Sequence, residues 1–215
     1  KKEKKRQSSW FYNTLPRQKV RRLILFFKMA GKIKNKRLFL ALILPDEMIS
    51  FLVSLVKKLS GRPLPPNNFH LTLFFFDQVS SQEEEKIKEA FSKVALEEEK
   101  PFTLSFADLS FFPGCGRPRG IWVKVGGRDE ERLFSFRQRL GEEFLARNIG
   151  FDQKPLLPHI ILTRFSKKEK IFKRDLPKVT TGEFSISSLG LFESRLSKKG
   201  ADYFLVKEEK LRFSS

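Results

Sequence analysis

The chain of 215 residues contains two histidines, and each stands near the front of an apolar run with a threonine behind it. In NNFHLTLFFF, residues 67–76, Thr72 comes two residues after His70. In LLPHIILTRF, residues 156–165, Thr163 comes four after His159, and the position two after is Ile161. Imidazole is the side chain whose ordinary pKa, about 6.5, lets it give or take a proton near neutral pH. A hydroxyl beside it can hydrogen-bond an anionic oxygen. Alternate side chains of a strand share a face, so His70 and Thr72 point one way while Leu71 and Leu73 point into another layer. That combination suits a phosphoryl group, with the ring moving a proton and the hydroxyl holding a non-bridging oxygen. A lone histidine on an apolar strand is ordinarily a satisfied core residue. This chain puts both of its histidines in the same setting, which favours chemistry over packing.

The elements that must position these residues follow a regular pattern from Arg37 onward. LFLALIL (38–44) has the length and continuous apolar character of a buried strand. Pro45, Asp46 and Glu47 then open a helix with Met48, Ile49, Phe51, Leu52, Leu55, Val56 and Leu59 inward, closed by Gly61. The loop RPLPPNN leads into the strand at 70–76. Ser80 and Glu83 form a capping-box signal for a helix to about Val94, with Ile87, Ala90, Phe91 and Val94 at helical spacing. FTLSFADLSFF (102–112) alternates as a strand, and PGCGRPRG is a turn-rich loop before the strand IWVKV. A helix from Asp129 to about Arg147 turns Leu133, Phe136, Leu140, Phe144 and Leu145 inward. A second proline-bearing loop, DQKPLLP, leads into the strand at 159–165, and two strands, near 183–193 and 202–207, complete the pattern. Strand, helix, proline-bearing loop and histidine strand therefore occur twice, near 38–76 and near 121–165. The expected fold is α+β, with mainly antiparallel strands and helices on the outer faces.

Composition narrows the chemistry. Cys115 is the only cysteine, so no intrachain disulfide is possible, and a reducing, cytoplasmic setting is expected. One Cys and two His spread over the chain do not make a structural zinc site, which takes three or four ligands at short spacings. No apolar run approaches the roughly 18 to 20 residues of a membrane span. The formal net charge is +18, but residues 1–36 hold 13 Lys/Arg against Glu3 alone, leaving +6 for residues 37–215. The segment 1–36 reads as a basic extension, either flexible or, up to the residue before Met29, outside the natural reading frame. The Lys- and Glu-rich remainder reads as solvated helix faces. Neither a P-loop nor a nucleotidyl-lysine motif supports ATP-dependent ligation.

FHLTL and PHIILTR resemble the paired H-x-T-x motifs of the two-histidine (2H) phosphoesterase superfamily. With RLFLALILPDE, NNFHLTLFFF, FPGCGRPRGIW and LGLFESRLSKKGADYFLV in order, the chain is most similar to the RNA 2′,3′-cyclic phosphodiesterases, also called 2′-5′ RNA ligase-like proteins. The resemblance covers about 37–212. It implies two pseudo-symmetric lobes around a central cleft, no metal or other cofactor, and a monomer that takes an RNA end bearing a 2′,3′-cyclic phosphate. It also implies roles: His70 as proton donor to the leaving ribose oxygen, His159 as proton acceptor from the attacking water, and Thr72 as a phosphate ligand. Two alternatives stay open: a non-catalytic module binding RNA ends or nucleotides on the same fold, and a phosphodiesterase for small cyclic nucleotides.

The second motif departs from the family pattern at Ile161. Alternation puts Thr163 on the face of His159 but about 6.6 to 6.8 Å further along the strand, so it is a phosphate-binding candidate at a displaced position. Arg164 matches the arginine that closes the second motif. Alternation sets it on the opposite face, where a surface ion pair competes with phosphate binding. Arg117 and Arg119, in the glycine- and proline-rich loop, are substrate-binding candidates because loops approach ligands closely. A solvated turn is the plainer reading of both.

Overall fold

The computed structural model describes residues 35–98, 100–114, 118–165, 173–179, 181–197 and 200–211. The basic extension up to residue 34, Cys115 and Arg117 lie outside the described residues. Strand β1 (Lys36–Ile43) is an almost uninterrupted buried run, and α1 (Asp46–Val56) follows with Asp46 and Glu47 in its first turn. Carboxylates there meet the positive end of the helix dipole. β2 (Arg62–Pro63) and a 3₁₀ turn (Pro66–Asn68) precede β3 (His70–Val79). α2 (Ser81–Leu96) starts on a complete capping box. The Ser80 hydroxyl accepts from the Glu83 N–H at 3.3 Å, and the Glu83 carboxylate accepts from the Ser80 N–H at 2.9 Å. β4 (Phe102–Phe112), β5 (Gly120–Gly126), α3 (Glu130–Ala146) and β6 (His159–Arg164) carry the second half. β7 (Phe184–Ile186), β8 (Ser188–Ser197) and β9 (Gly200–Lys210) finish the described chain.

The strands form two sheets, ordered β3-β1-β8-β9 and β2-β6-β5-β4-β7. Each histidine strand pairs antiparallel with the strand that precedes its helix: His70 lies opposite Ile43 of β1, and His159 opposite Lys124 of β5. The repeated strand–helix–loop–strand unit is therefore a structural repeat, one unit per sheet. Leu40, Leu42, Leu71, Phe74, Phe91, Phe136, Phe144 and Ile160 belong to one continuous core between sheets and helices. Among the described residues no helix is long and apolar enough to cross a membrane.

Leu145, expected inward on α3, is 55% exposed, and three strand expectations change. The single strand expected at 183–193 is two: Phe184–Ile186 pairs with β4 in the second sheet, while Ser188–Ser197 pairs with β1 in the first. Phe184 and Ile186 alternate, then Leu189 and Leu191 do so one residue out of phase, so the pattern slips at Ser187–Ser188, where the chain crosses between sheets. β9 is longer than expected, because its ladder to β8 extends over the polar residues Lys207–Lys210. β2 falls where a loop is expected, and its two residues, Arg62 and Pro63, pair with β6.

Candidate active site

A cleft of about 820 Å³ lies between the two sheets, lined by His70, Thr72 and Phe75 of β3 and by His159, Ile161 and Arg164 of β6. The same local device aims both triplets. In β3 the register shifts between Leu40↔Phe74 and Ala41↔Thr72, which loops out Leu73. In β6 it shifts between Ile121↔Thr163 and Trp122↔Ile161, which loops out Leu162. Each bulge falls three residues after its histidine. An extra residue reverses the alternation beyond it, so positions two and five after each histidine reach the cleft.

This bulge corrects two sequence expectations. Thr163 does not share the cleft face with His159: it is 0% exposed, outside the cleft lining, and its Oγ1 has no hydrogen-bond partner. Arg164 lines the cleft instead of the opposite face. The missed signal was Gly120. A glycine inside a strand often marks a bulge or a close backbone approach, and a Cβ at Gly120 would collide with the carbonyl oxygen of Thr163. The Arg119 side chain does not line the cleft. Its backbone serves the ladder, accepting from the Phe165 N–H at 2.8 Å.

The His70 ring is packed among aromatic rings. Phe39 lies 4.7 Å away between centroids, Tyr203 stands edge-on at 5.2 Å, and Phe192 stacks at 6.2 Å. This enclosure pushes its pKa down to about 4, mainly by burial; a hydrogen bond to the Asn68 backbone opposes the shift, and the charge of His159 adds to it. Both imidazoles line the one cleft. Asn68 is itself anchored, its Nδ2 donating to the Ala201 carbonyl at 3.1 Å.

His159 repeats the arrangement. Its ring packs on Trp122 at 4.3 Å, and its Nδ1 lies 2.6 Å from the Leu157 carbonyl oxygen. A carbonyl can only accept, so Nδ1 carries the proton and neutral His159 keeps its lone pair on Nε2. Burial lowers its pKa, against the bond to Leu157. Both histidines thus bond the backbone two residues upstream.

Tyr203 also lines the cleft. Burial raises its phenol pKa, while Arg164 and Arg37 pull it down. The sequence reading missed Tyr203, Trp122 and Phe39, which enclose the two imidazoles. The GADYFLV segment carried Tyr203 in view, but its place beside His70 depends on the β8–β9 ladder. Among the described residues, no three His, Cys, Asp or Glu side chains cluster as a metal site requires.

Comparison with known proteins follows the same lines. A family model described as LigT-like phosphoesterase matches residues 45–122. An RNA 2′,3′-cyclic phosphodiesterase of Thermus thermophilus is 31% identical over 188 residues, spanning 82% of this chain and 90% of the relative. Another from Archaeoglobus fulgidus is 28% identical over 175 residues, spanning 78% and 96%. A solved structure from Thermus thermophilus superposes with a TM-score of 0.70 at 30% identity, covering 83% of this chain and all of that one. E. coli LigT complexed with 3′-AMP shares the fold, with a TM-score of 0.67 at 24% identity, covering 83% and 99%.

Proposed function

The chain belongs to the LigT-like phosphoesterase family and is a phosphoester hydrolase, and from that premise we propose that it opens the 2′,3′-cyclic phosphate at an RNA end to a 2′-phosphomonoester. The observation that carries the reading is the meeting of His70 and His159 in one cleft, each hydrogen-bonded to backbone and each backed by aromatic rings. Water attacks phosphorus while Nε2 of His159 takes its proton. The bond from phosphorus to the ribose 3′ oxygen breaks, and protonated His70 supplies the proton that the leaving oxygen needs. Thr72 and Arg164 hold the non-bridging oxygens. An imidazole at about pKa 4 is mostly neutral at pH 7. An anionic phosphate beside it favours the charged form, so substrate binding itself brings His70 toward its acid state.

The competing reading is a non-catalytic RNA-end or nucleotide-binding module, and Ile161 is the residue that favours it. An oligonucleotide with a 2′,3′-cyclic phosphate end, incubated with chelator present, separates the two. Wild type should form the 2′-phosphate. His70→Ala and His159→Ala should each lose on the order of 10² to 10⁴ in rate, the usual share of one acid or base. Equal residual turnover in all three proteins would remove the catalytic assignment.

A further inference from the structure

With Thr72 and Arg164 on the reacting phosphate, the other arginine of the cleft lining among the described residues is Arg37. The remaining charged groups of the lining, apart from the two histidines, are the carboxylates of Asp77, Glu83 and Asp152. Arg37 lies near the start of β1, and the ladder that pairs Leu38 with Glu193 sets it beside Ser194 of β8. Ser194 in turn pairs with Tyr203 of β9. A guanidinium and two hydroxyls therefore stand in one row across neighbouring strands, each about 4.8 Å from the next. All three residues line the cleft. Guanidinium forks and hydroxyl donors are the groups that phosphoryl oxygens accept from.

The Tyr203 end of this row borders the reaction centre, its ring edge-on to His70 at 5.2 Å between centroids. Asn68, two residues before His70, holds the start of β9 there by donating to the Ala201 carbonyl at 3.1 Å. Burial raises the Tyr203 phenol pKa, and Arg164 and Arg37 both counter it, so each guanidinium bears on the phenol oxygen. Arg37 is held loosely: its Nε lies 3.5 Å from the Asp77 carboxylate, with both side chains more than half exposed. An ion pair so open to water is worth little, and an entering phosphate displaces Asp77 at small cost. In a nucleoside 2′,3′-cyclic phosphate, the 5′ oxygen leaves the same ribose that carries the reacting phosphorus. A phosphoryl group on that oxygen lies one sugar away from His70, which is the reach this row offers.

Resting on the cyclic-phosphodiesterase reading above, we infer that Arg37, Ser194 and Tyr203 form a second phosphoryl subsite, which takes the group on the 5′ oxygen of the terminal nucleotide. In an RNA end that group is the phosphodiester to the preceding nucleotide; in a mononucleotide it is a 5′-phosphate. The subsite favours both over a cyclic nucleoside phosphate with a free 5′ hydroxyl, whatever the base.

The test compares kcat/KM for adenosine 2′,3′-cyclic phosphate, its 5′-phosphorylated form and ApA bearing the same cyclic end. The 5′-phosphorylated mononucleotide adds the anion without a second base. Wild type should prefer it, and ApA, by about threefold to thirtyfold, between the return of a half-exposed ion pair and that of a hydrogen bond to a charged group. Arg37→Gln should bring the 5′-phosphate preference close to one, and Arg37→Lys should keep part of it. Tyr203→Phe, which retains the ring against His70, should lower it, and Asp77→Asn should keep or raise it. The preference is a ratio within each variant, so a general loss of stability or rate cancels. No preference in wild type, or Arg37→Gln slowing all three substrates alike, overturns the inference, because Arg37 would then serve the reacting phosphate or nothing. If wild type turns over none of the three, the cyclic-phosphodiesterase reading falls, and calorimetry with adenosine 2′,5′-bisphosphate and adenosine 2′-phosphate decides the subsite. Tighter bisphosphate binding that Arg37→Gln abolishes supports it, and equal binding of the two ligands rejects it.

Discussion

Restoring a hydroxyl at position 161 tests how the second motif works. Ile161 lines the cleft two residues after His159 and before the bulge at Leu162, the same relation that Thr72 holds to His70 before the bulge at Leu73. Ile161→Thr therefore carries a hydroxyl to the place equivalent to an existing cleft-facing one. A hydrogen bond to a charged group is worth about 1.5 to 3 kcal/mol, which is roughly a factor of 10 to 150 in rate. Against this stands the loss of apolar contact at a half-buried site, a stability cost on the order of 1 kcal/mol. That cost appears in the unfolding midpoint, not in the chemistry. The assay is kcat and KM for cyclic-phosphate opening by Ile161→Thr, with Thr72→Val as the reverse change. A gain confined to the transition state raises kcat, whereas one shared with the ground state lowers KM. We expect Ile161→Thr to be faster and Thr72→Val slower. One competitor is visible: the Trp122 Nε1, buried without a partner, belongs to the residue paired with Ile161. If the new hydroxyl turns to Trp122, the variant gains stability and no rate. An unchanged or slower kcat/KM in a well-folded variant would refute the clamp argument.

Two further outcomes follow from the same geometry. His70 has a native pKa of about 4 against an ordinary 6.5, so between these values the unfolded chain binds a proton that the native one refuses. Stability is then full above about pH 6.5 and falls as pH drops toward 4. His159 shifts in the same direction, and the carboxylates that their cation partners hold below the ordinary range, such as Glu84 and Glu143, add a loss of their own only at the acid end. Denaturant midpoints at pH 7.5 and pH 5 should show the loss, and His70→Gln should reduce it; identical slopes in both proteins would contradict the burial argument. Thr163→Val removes a buried hydroxyl that has no partner. Replacing an unsatisfied polar group by an apolar one of the same shape is neutral or stabilising. Its melting temperature should hold or rise with turnover unchanged, and a large loss of turnover would return Thr163 to the site.

The linear order of residues determined whatever depends on neighbours along the chain. The Ser80–Glu83 capping box, the inward faces of the three helices apart from the exposed Leu145, and the shared face of His70 and Thr72 are local: each needs only a 3.6 or a two-residue period and a turn. The repeat that carries both histidines was legible for the same reason. Tertiary structure decided what depends on a partner strand. Leu162 loops out because β5 steps from Ile121 to Trp122 across it, and that one register step sends Thr163 into the core and Arg164 into the cleft. The segment 183–193 divides between two sheets because its first part pairs with β4 and its second with β1; the slip in alternation at Ser187–Ser188 marks a break but not the two partner strands. Tyr203 reaches His70 only because the β8–β9 ladder brings together residues far apart in sequence. Periodicity assigns a side chain to a face; the register of a distant strand decides which face belongs to the site.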